Sequence, residues 1–174
     1  MAVTLGTWAL ATLLGGCHSE PLDSSVAGGA SDQSHDDNGW TATASNSSLD
    51  TPPQNALDGD LTTHWSSGKP QAADEWFQLD FRQTLVVSSI ELDLGTDSSD
   101  ASYDDYPRGY FVRLSATPND ETADVVASGA GKTPITHINL KGAASRYVFI
   151  RQTFTDAHSW SIHELRADVS AEAP

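Results

Sequence analysis

The chain has 174 residues and carries 24 Asp and Glu against 9 Lys and Arg, a formal net charge of −15. That length fits one domain with a core of useful size. The acidic balance argues against nucleic acid and against an anionic membrane surface as partners, because both carry the same sign of charge.

No charged side chain occurs in the first 17 residues. The apolar run over residues 5–14 is too short to span a bilayer and suits a signal-peptide core followed by small residues. The only cysteine, Cys17, follows Leu14-Gly15-Gly16. This resembles the lipobox of bacterial lipoproteins, which implies cleavage after residue 16 and a diacyl anchor on Cys17. It departs from that pattern in having no Lys or Arg ahead of the apolar run. The alternative is an ordinary secretion signal that leaves a free thiol. With Cys17 lipidated, the mature domain has no disulfide, so packing must hold it, with or without a metal. Residues 17–37 are rich in Ser, Gly, Asp and Ala and read as a flexible tether.

From Trp40 the pattern turns to period two, as half-buried strands require. Trp40-Thr41-Ala42-Thr43-Ala44 alternates, and Phe77, Leu79 and Phe81 share one face. Ile90, Leu92 and Leu94 follow, then Tyr110, Val112 and Leu114, then Ile138 and Leu140. Next come Tyr147 with Val148 or Phe149, then Ile150, and last the stretch from Ile162 to Val169. Each run is short and bounded by Gly, Pro, Asn, Asp or Ser, so the expectation is an all-β sandwich or barrel spanning residues 38–170. Residues 171–174 read as a disordered tail.

The stretch Asn55-Ala56-Leu57-Asp58-Gly59-Asp60-Leu61-Thr62-Thr63-His64-Trp65 gathers hard oxygen donors around a turn-forming glycine. Asp58 offers a carboxylate, and Thr63 a hydroxyl and a carbonyl, as Ca²⁺ prefers. It is not an EF-hand: counted from Asp58, the position that needs Glu is Lys69 and the one that needs Gly is Thr63. A further carboxylate must come from elsewhere, and Glu164 in Ser159-Trp160-Ser161-Ile162-His163-Glu164-Leu165 is the best candidate. The alternative is a turn with solvated aspartates.

Four blocks in order, NALDGDLTTHW, GKPQAADEWFQLDF, DYPRGYFVRLSA and SWSIHELRAD, resemble the F5/8 type C, or discoidin-like, domain, and more narrowly the bacterial carbohydrate-binding modules of family 32. The resemblance covers residues 38–170. It implies an eight-stranded antiparallel jelly-roll β-sandwich and one structural Ca²⁺ joining the first loop to the last strand. The implied ligands are the backbone carbonyls of Asn55, Asp60 and His163, the side chains of Asp58 and Glu164, and both oxygens of Thr63. It also implies a non-catalytic module that binds a glycan through loops.

Two loops carry the candidate binding residues. Residues 95–109 hold Tyr103, Asp105, Tyr106 and Arg108, with Arg108 either donating its fork to sugar hydroxyls or pairing with Asp105. Residues 153–160 hold Asp156, His158 and Trp160, where Trp160 is either a stacking face or a core anchor. Ser66-Ser67-Gly68-Lys69 stand where galactose-binding relatives carry tryptophan and histidine, a departure from their pattern.

Other chemistries lack their residues. Gly129-Ala130-Gly131-Lys132-Thr133 has Val126 where a phosphate loop needs its first glycine, and Pro134 where its helix would start. Ser66-Ser67-Gly68-Lys69 has no partner motif of the β-lactamase type. The expectation is therefore a bacterial cell-envelope lipoprotein that binds a glycan or polysaccharide. It would touch the membrane only through its anchor. The alternative is a module that binds an envelope or extracellular protein through the same loops.

Overall fold

The computed structural model describes residues 39–97 and 99–171. The expected signal peptide, Cys17, the tether and residues 172–174 lie outside the described residues. Strands form where the alternation places them. β1 (Thr41–Ala44) lies antiparallel to the start of β3 (Trp76–Asp93), with Ala42 opposite Leu79. A short 3-10 helix, Pro53–Leu57, starts on proline, which needs no amide partner there, and buries Ala56 and Leu57. β2 (Trp65–Ser66) pairs with β7 (Ser161–Ile162) as a separate two-stranded ladder.

β3 and β6 (Ile135–Gln152) are the frame of the molecule, each 18 residues long. They run antiparallel from Trp76 opposite Arg151 to Asp93 opposite Ile135. Their register slips between Asp80 and Leu85 and again between Val87 and Ser89. Such bulges bend a strand and increase its twist. One half of the pair then meets β1 and β4 (Tyr110–Ser115), and the other half meets β8 (Glu164–Ala171). β5 (Val125–Gly129) pairs with β4. The strand order is β1-β3-β6-β4-β5, with β8 added to β3. The fold is all-β and antiparallel, consistent with a jelly-roll sandwich. β8 runs through Ala171, which faces Leu85, so residue 171 belongs to the sheet and not to the expected tail.

One core cluster unites both halves. Phe77, Leu79 and Phe81 meet Val148 and Ile150 there, together with Ile90, Leu92, Ile138, Leu140 and Leu165. The choice between Val148 and Phe149 is thereby resolved: Val148 faces the core, while Phe149 stacks on Trp76 at 5.7 Å on the opposite face. Trp65, Phe77 and Trp160 pack together at one end of the cluster, ring centroids 4.8 to 6.5 Å apart.

Paired carboxylates tie the outer face. Asp80 takes a fork from Arg146, at 2.9 and 3.1 Å, and this hydrogen bonding holds its carboxyl below the ordinary 3.8. Asp120 accepts from Thr122 Oγ1 at 2.7 Å and Ser115 Oγ at 2.8 Å, which lowers it from 3.8 to about 2. A carboxyl with a depressed folded pKa stabilises fully above its unfolded value, and that contribution is lost as the pH falls through the folded value. Only Asp105, raised by burial, runs the other way among the described aspartates whose shift is resolved. The urea midpoint is therefore expected to drop as the pH falls from about 4 to about 2, and to drop less steeply in Asp120→Asn. Superimposable profiles for the two proteins would rule out this role for Asp120.

Candidate functional site

Residues 95–109 connect β3 to β4, and residues 153–160 connect β6 to β7. Hydrogen bonds draw the first loop to both ends of the second: Thr153 N donates to Gly109 O at 2.9 Å, and Ser161 N, at the start of β7, to Asp105 O at 3.0 Å. Aspartate-serine turns stiffen the first loop. Asp97 accepts from the amide and hydroxyl of Ser99, and Asp100 from those of Ser102, which holds both carboxyls below the ordinary range.

Arg108 is the centre of the loop meeting. Its Nε lies 3.1 Å from Asp156 Oδ2 and its Nη2 3.3 Å from Oδ1, a bidentate pair. Its Cζ sits 3.9 Å from the centroid of the Tyr106 ring. The alternative pairing with Asp105 is not formed. Asp105 is 8% exposed, accepts from Ser161 Oγ at 3.0 Å, and has its carboxyl pushed up by burial. His158 Nδ1 lies 2.7 Å from Asp156 Oδ1 and 3.0 Å from Arg108 Nη2. Nδ1 can donate to the carboxylate or accept from the guanidinium, not both. The shorter contact has Nδ1–H donating to the Asp156 carboxylate, which leaves Nε2 of a half-exposed ring for other partners. Asp156 is held well below the usual carboxylate range, first by the His158 amide and then by Arg108.

Phe154, on the same loop as Asp156 and His158, has 62% of its surface exposed. Its ring lies against the backbone of Gly109, where an added Cβ would come within 2.3 Å of it, so only glycine lets the ring rest there. Tyr103 is half-buried and its amide donates to Asp100 O at 3.2 Å. Trp160 is not a stacking face: it is 0% exposed and packs at 5.0 Å on Trp65, because the chain turns inward at β7 directly after the loop.

The oxygen-rich loop closes on β8. Gly59, at φ 75°, turns the chain so that its amide donates to Glu164 Oε2 at 2.8 Å. Thr63 Oγ1 lies 2.6 Å from Asp58 Oδ2 and 3.0 Å from Asp60 O. The Asp60 carboxylate turns away to the amide and hydroxyl of Thr62, which lowers its pKa. Asn55 donates through Nδ2 to His64 O at 3.1 Å. The His163 ring is buried against the same loop, stacked on His64 at 4.9 Å, with Nδ1 2.8 Å from Leu61 O and Nε2 2.6 Å from Ser102 Oγ. Among the described residues no three His, Cys, Asp or Glu side chains gather as a metal cluster.

Two residues of the loop meeting were not anticipated. Phe154 carries a weak sequence signal, an aromatic amid Thr, Asp and Ala. Gln71 carries none, yet it is 2% exposed between the loops.

The F5/8 type C domain profile matches residues 41–165. No curated protein matches the chain. Among solved structures, the family 32 carbohydrate-binding module of C. perfringens NanJ, in complex with galactose, is 19% identical at a TM-score of 0.60 over 74% of this chain and 92% of that one. Chitosan-binding module 1 of the chitosanase/glucanase from Paenibacillus sp. IK-5 is 21% identical at 0.61 over 74% and 93%. The family 32 module of AlyQ, in complex with 4,5-unsaturated mannuronic acid, is 20% identical at 0.59 over 74% and 93%. These likenesses bear on the fold, and the profile match over most of the chain gives the family: the chain belongs to the F5/8 type C domain family.

Proposed function

We propose that the chain is a non-catalytic carbohydrate-binding module that holds a glycan where residues 95–109 meet residues 153–160. The observation that carries this reading is Arg108, fixed by Asp156 over the Tyr106 ring, with His158 beside it and the exposed Phe154 on the same loop as Asp156. Guanidinium and imidazole nitrogens bond sugar hydroxyls, and an exposed aromatic face packs on the apolar face of a pyranose. The solved modules that share this fold, in complexes with galactose and with an unsaturated mannuronic acid, support the reading.

Catalysis is not part of the proposal. A glycosidase pair needs one carboxylic acid kept protonated in a cleft beside a second carboxylate. Arg108 and His158 keep Asp156 ionised, and Asp105 is buried behind Ser161.

A structural Ca²⁺ in the loop at residues 55–64 completes the proposal. The donor set fits: Thr63 Oγ1 has one proton but two close oxygens, Asp58 Oδ2 and Asp60 O, with Glu164 next to them at Gly59. The side chains of Asp58 and Glu164 and both oxygens of Thr63 would hold the ion, with the backbone carbonyls of Asn55, Asp60 and His163. Its contribution would be charge neutralisation and a tie from loop to strand. At the envelope, the anchor on Cys17 would leave the module facing periplasm or exterior, and loss of detergent partitioning in Cys17→Ala would establish it.

An array of galactose, N-acetylgalactosamine, chitotriose and unsaturated mannuronate oligosaccharides tests the function. The expected result is retention of the wild-type protein on at least one sugar, and an affinity reduced by about tenfold or more in Arg108→Ala, at roughly 1.4 kcal/mol per decade. Equal binding by both proteins would move the site elsewhere. Binding to no sugar would turn the assignment toward a protein partner.

A further inference from the structure

Gln71 lies on the segment between β2 and β3, outside both binding loops. Its side-chain Nε2 donates to Tyr106 O at 2.9 Å and to Ser159 O at 2.8 Å. Its Oε1 accepts from Arg108 N at 3.2 Å and from Gln152 Nε2 at 2.8 Å. An amide has two donors and an acceptor oxygen with two lone pairs, so this one is used to capacity. Its backbone joins in: the amide donates to His158 O at 2.9 Å, and the carbonyl accepts from Asp156 N at 3.1 Å. Tyr106 and Arg108 belong to one binding loop, and Asp156, His158 and Ser159 to the other.

The placement has a physical consequence. Neither binding loop is part of a strand, so each needs an external constraint to keep one shape. A buried side-chain amide bonded to one carbonyl of each loop and to the Arg108 amide supplies that constraint, because breaking it leaves three backbone groups unsatisfied at once and leaves the Asp156 amide held only by a less firmly fixed Gln71 backbone. We propose that Gln71 is a positioning residue for the ligand site: it sets Arg108 against Asp156 and His158 before any ligand arrives. It touches no ligand itself. Ligand binding then proceeds without ordering the loops, and the ordering cost falls on folding instead. The inference rests on the glycan reading only in its affinity arm.

The test compares wild type with Gln71→Ala and Gln71→Glu by amide hydrogen exchange and by affinity for whichever array sugar the wild type retains. Gln71→Glu keeps the acceptor for Arg108 N but loses both donated bonds, and it serves should Gln71→Ala not fold. The expected result is exchange faster by about tenfold at the Arg108 and Asp156 amides, with core amides such as Leu79 and Val148 unchanged. The sugar dissociation constant rises by about tenfold alongside. Unchanged exchange at Arg108 and Asp156 would overturn the proposal. So would exchange rising equally in the core, since that marks a residue of global stability. If the wild type binds no array sugar, the glycan reading falls while the exchange arm still decides Gln71.

Discussion

Replacing Trp160 with alanine is expected to lower the stability of the domain by about 3–5 kcal/mol, the usual cost of deleting a fully packed large aromatic side chain. The ring is 0% exposed and meets Trp65 at 5.0 Å and Phe77 at 6.5 Å, with interplanar angles near perpendicular for the first pair. Its backbone also locks a neighbour, since Ser67 N donates to Trp160 O at 2.8 Å and Ser67 Oγ accepts from Trp160 N at 3.1 Å. Those backbone bonds survive the substitution, so the loss measures the cavity and the missing contacts. His158, two positions earlier, is half exposed, and His158→Ala should change the urea midpoint little. A Trp160→Ala protein within about 1 kcal/mol of wild type would mean that the cavity collapses freely and that this end of the core is loosely packed.

Metal-stripped protein is expected to gain about 2.7 kcal/mol when Ca²⁺ reaches 100 times its dissociation constant, and to gain nothing in an Asp58→Ala variant. The sign follows from linkage: an ion held by the folded loop and not by the unfolded chain favours the folded state. Asp58 is the informative residue because its Oδ1 also accepts the Asp60 amide at 3.0 Å, so it shapes the turn as well as offering charge. Asp58→Asn separates the two contributions, since its amide oxygen keeps the turn while the negative charge is gone. Mg²⁺ is expected to substitute poorly, because it demands a near-ideal octahedron and sheds its waters reluctantly, whereas Ca²⁺ accepts a mixed set of carbonyl and carboxylate oxygens. A melting temperature indifferent to Ca²⁺ in wild type would remove the ion from the account of this loop.

Much of the fold is legible in the alternation of apolar residues. Phe77, Leu79 and Phe81 declare an inward face, and the structure buries all three to 1% exposure or less. The ambiguity at Val148 and Phe149 arises because both neighbours are apolar. It resolves only when β6 meets β3 and places Val148 opposite Leu79. The candidate site is less legible because its contacts are remote. Asp105 looks like the partner of Arg108 in the sequence, yet the guanidinium reaches Asp156, 48 positions away. Local spacing constrains helices and turns, and two loops that meet across a sandwich obey no such spacing. Trp160 sits in a run of loop residues, and only its position immediately before β7 explains its burial. Gln71 is the hardest case, since a polar residue beside a proline has the pattern of surface and only its partners make it interior.

The shared strands β3 and β6 also set how this chain comes together in time. β3 finds its neighbours in β1, β6 and β8, and none of these is the strand before or after it in the chain. Among the described strands, β4 and β5 are the one pair consecutive in both sequence and sheet. A nucleus built from nearby residues therefore covers little of the sheet, and most ladders must wait for distant segments to meet. Such topologies refold on the scale of milliseconds to seconds, far slower than helical bundles of similar size. Until β8 arrives, the far half of β3 has an open edge from Leu85 to Asp93, and that edge is where the incomplete chain is most exposed to pairing with another copy.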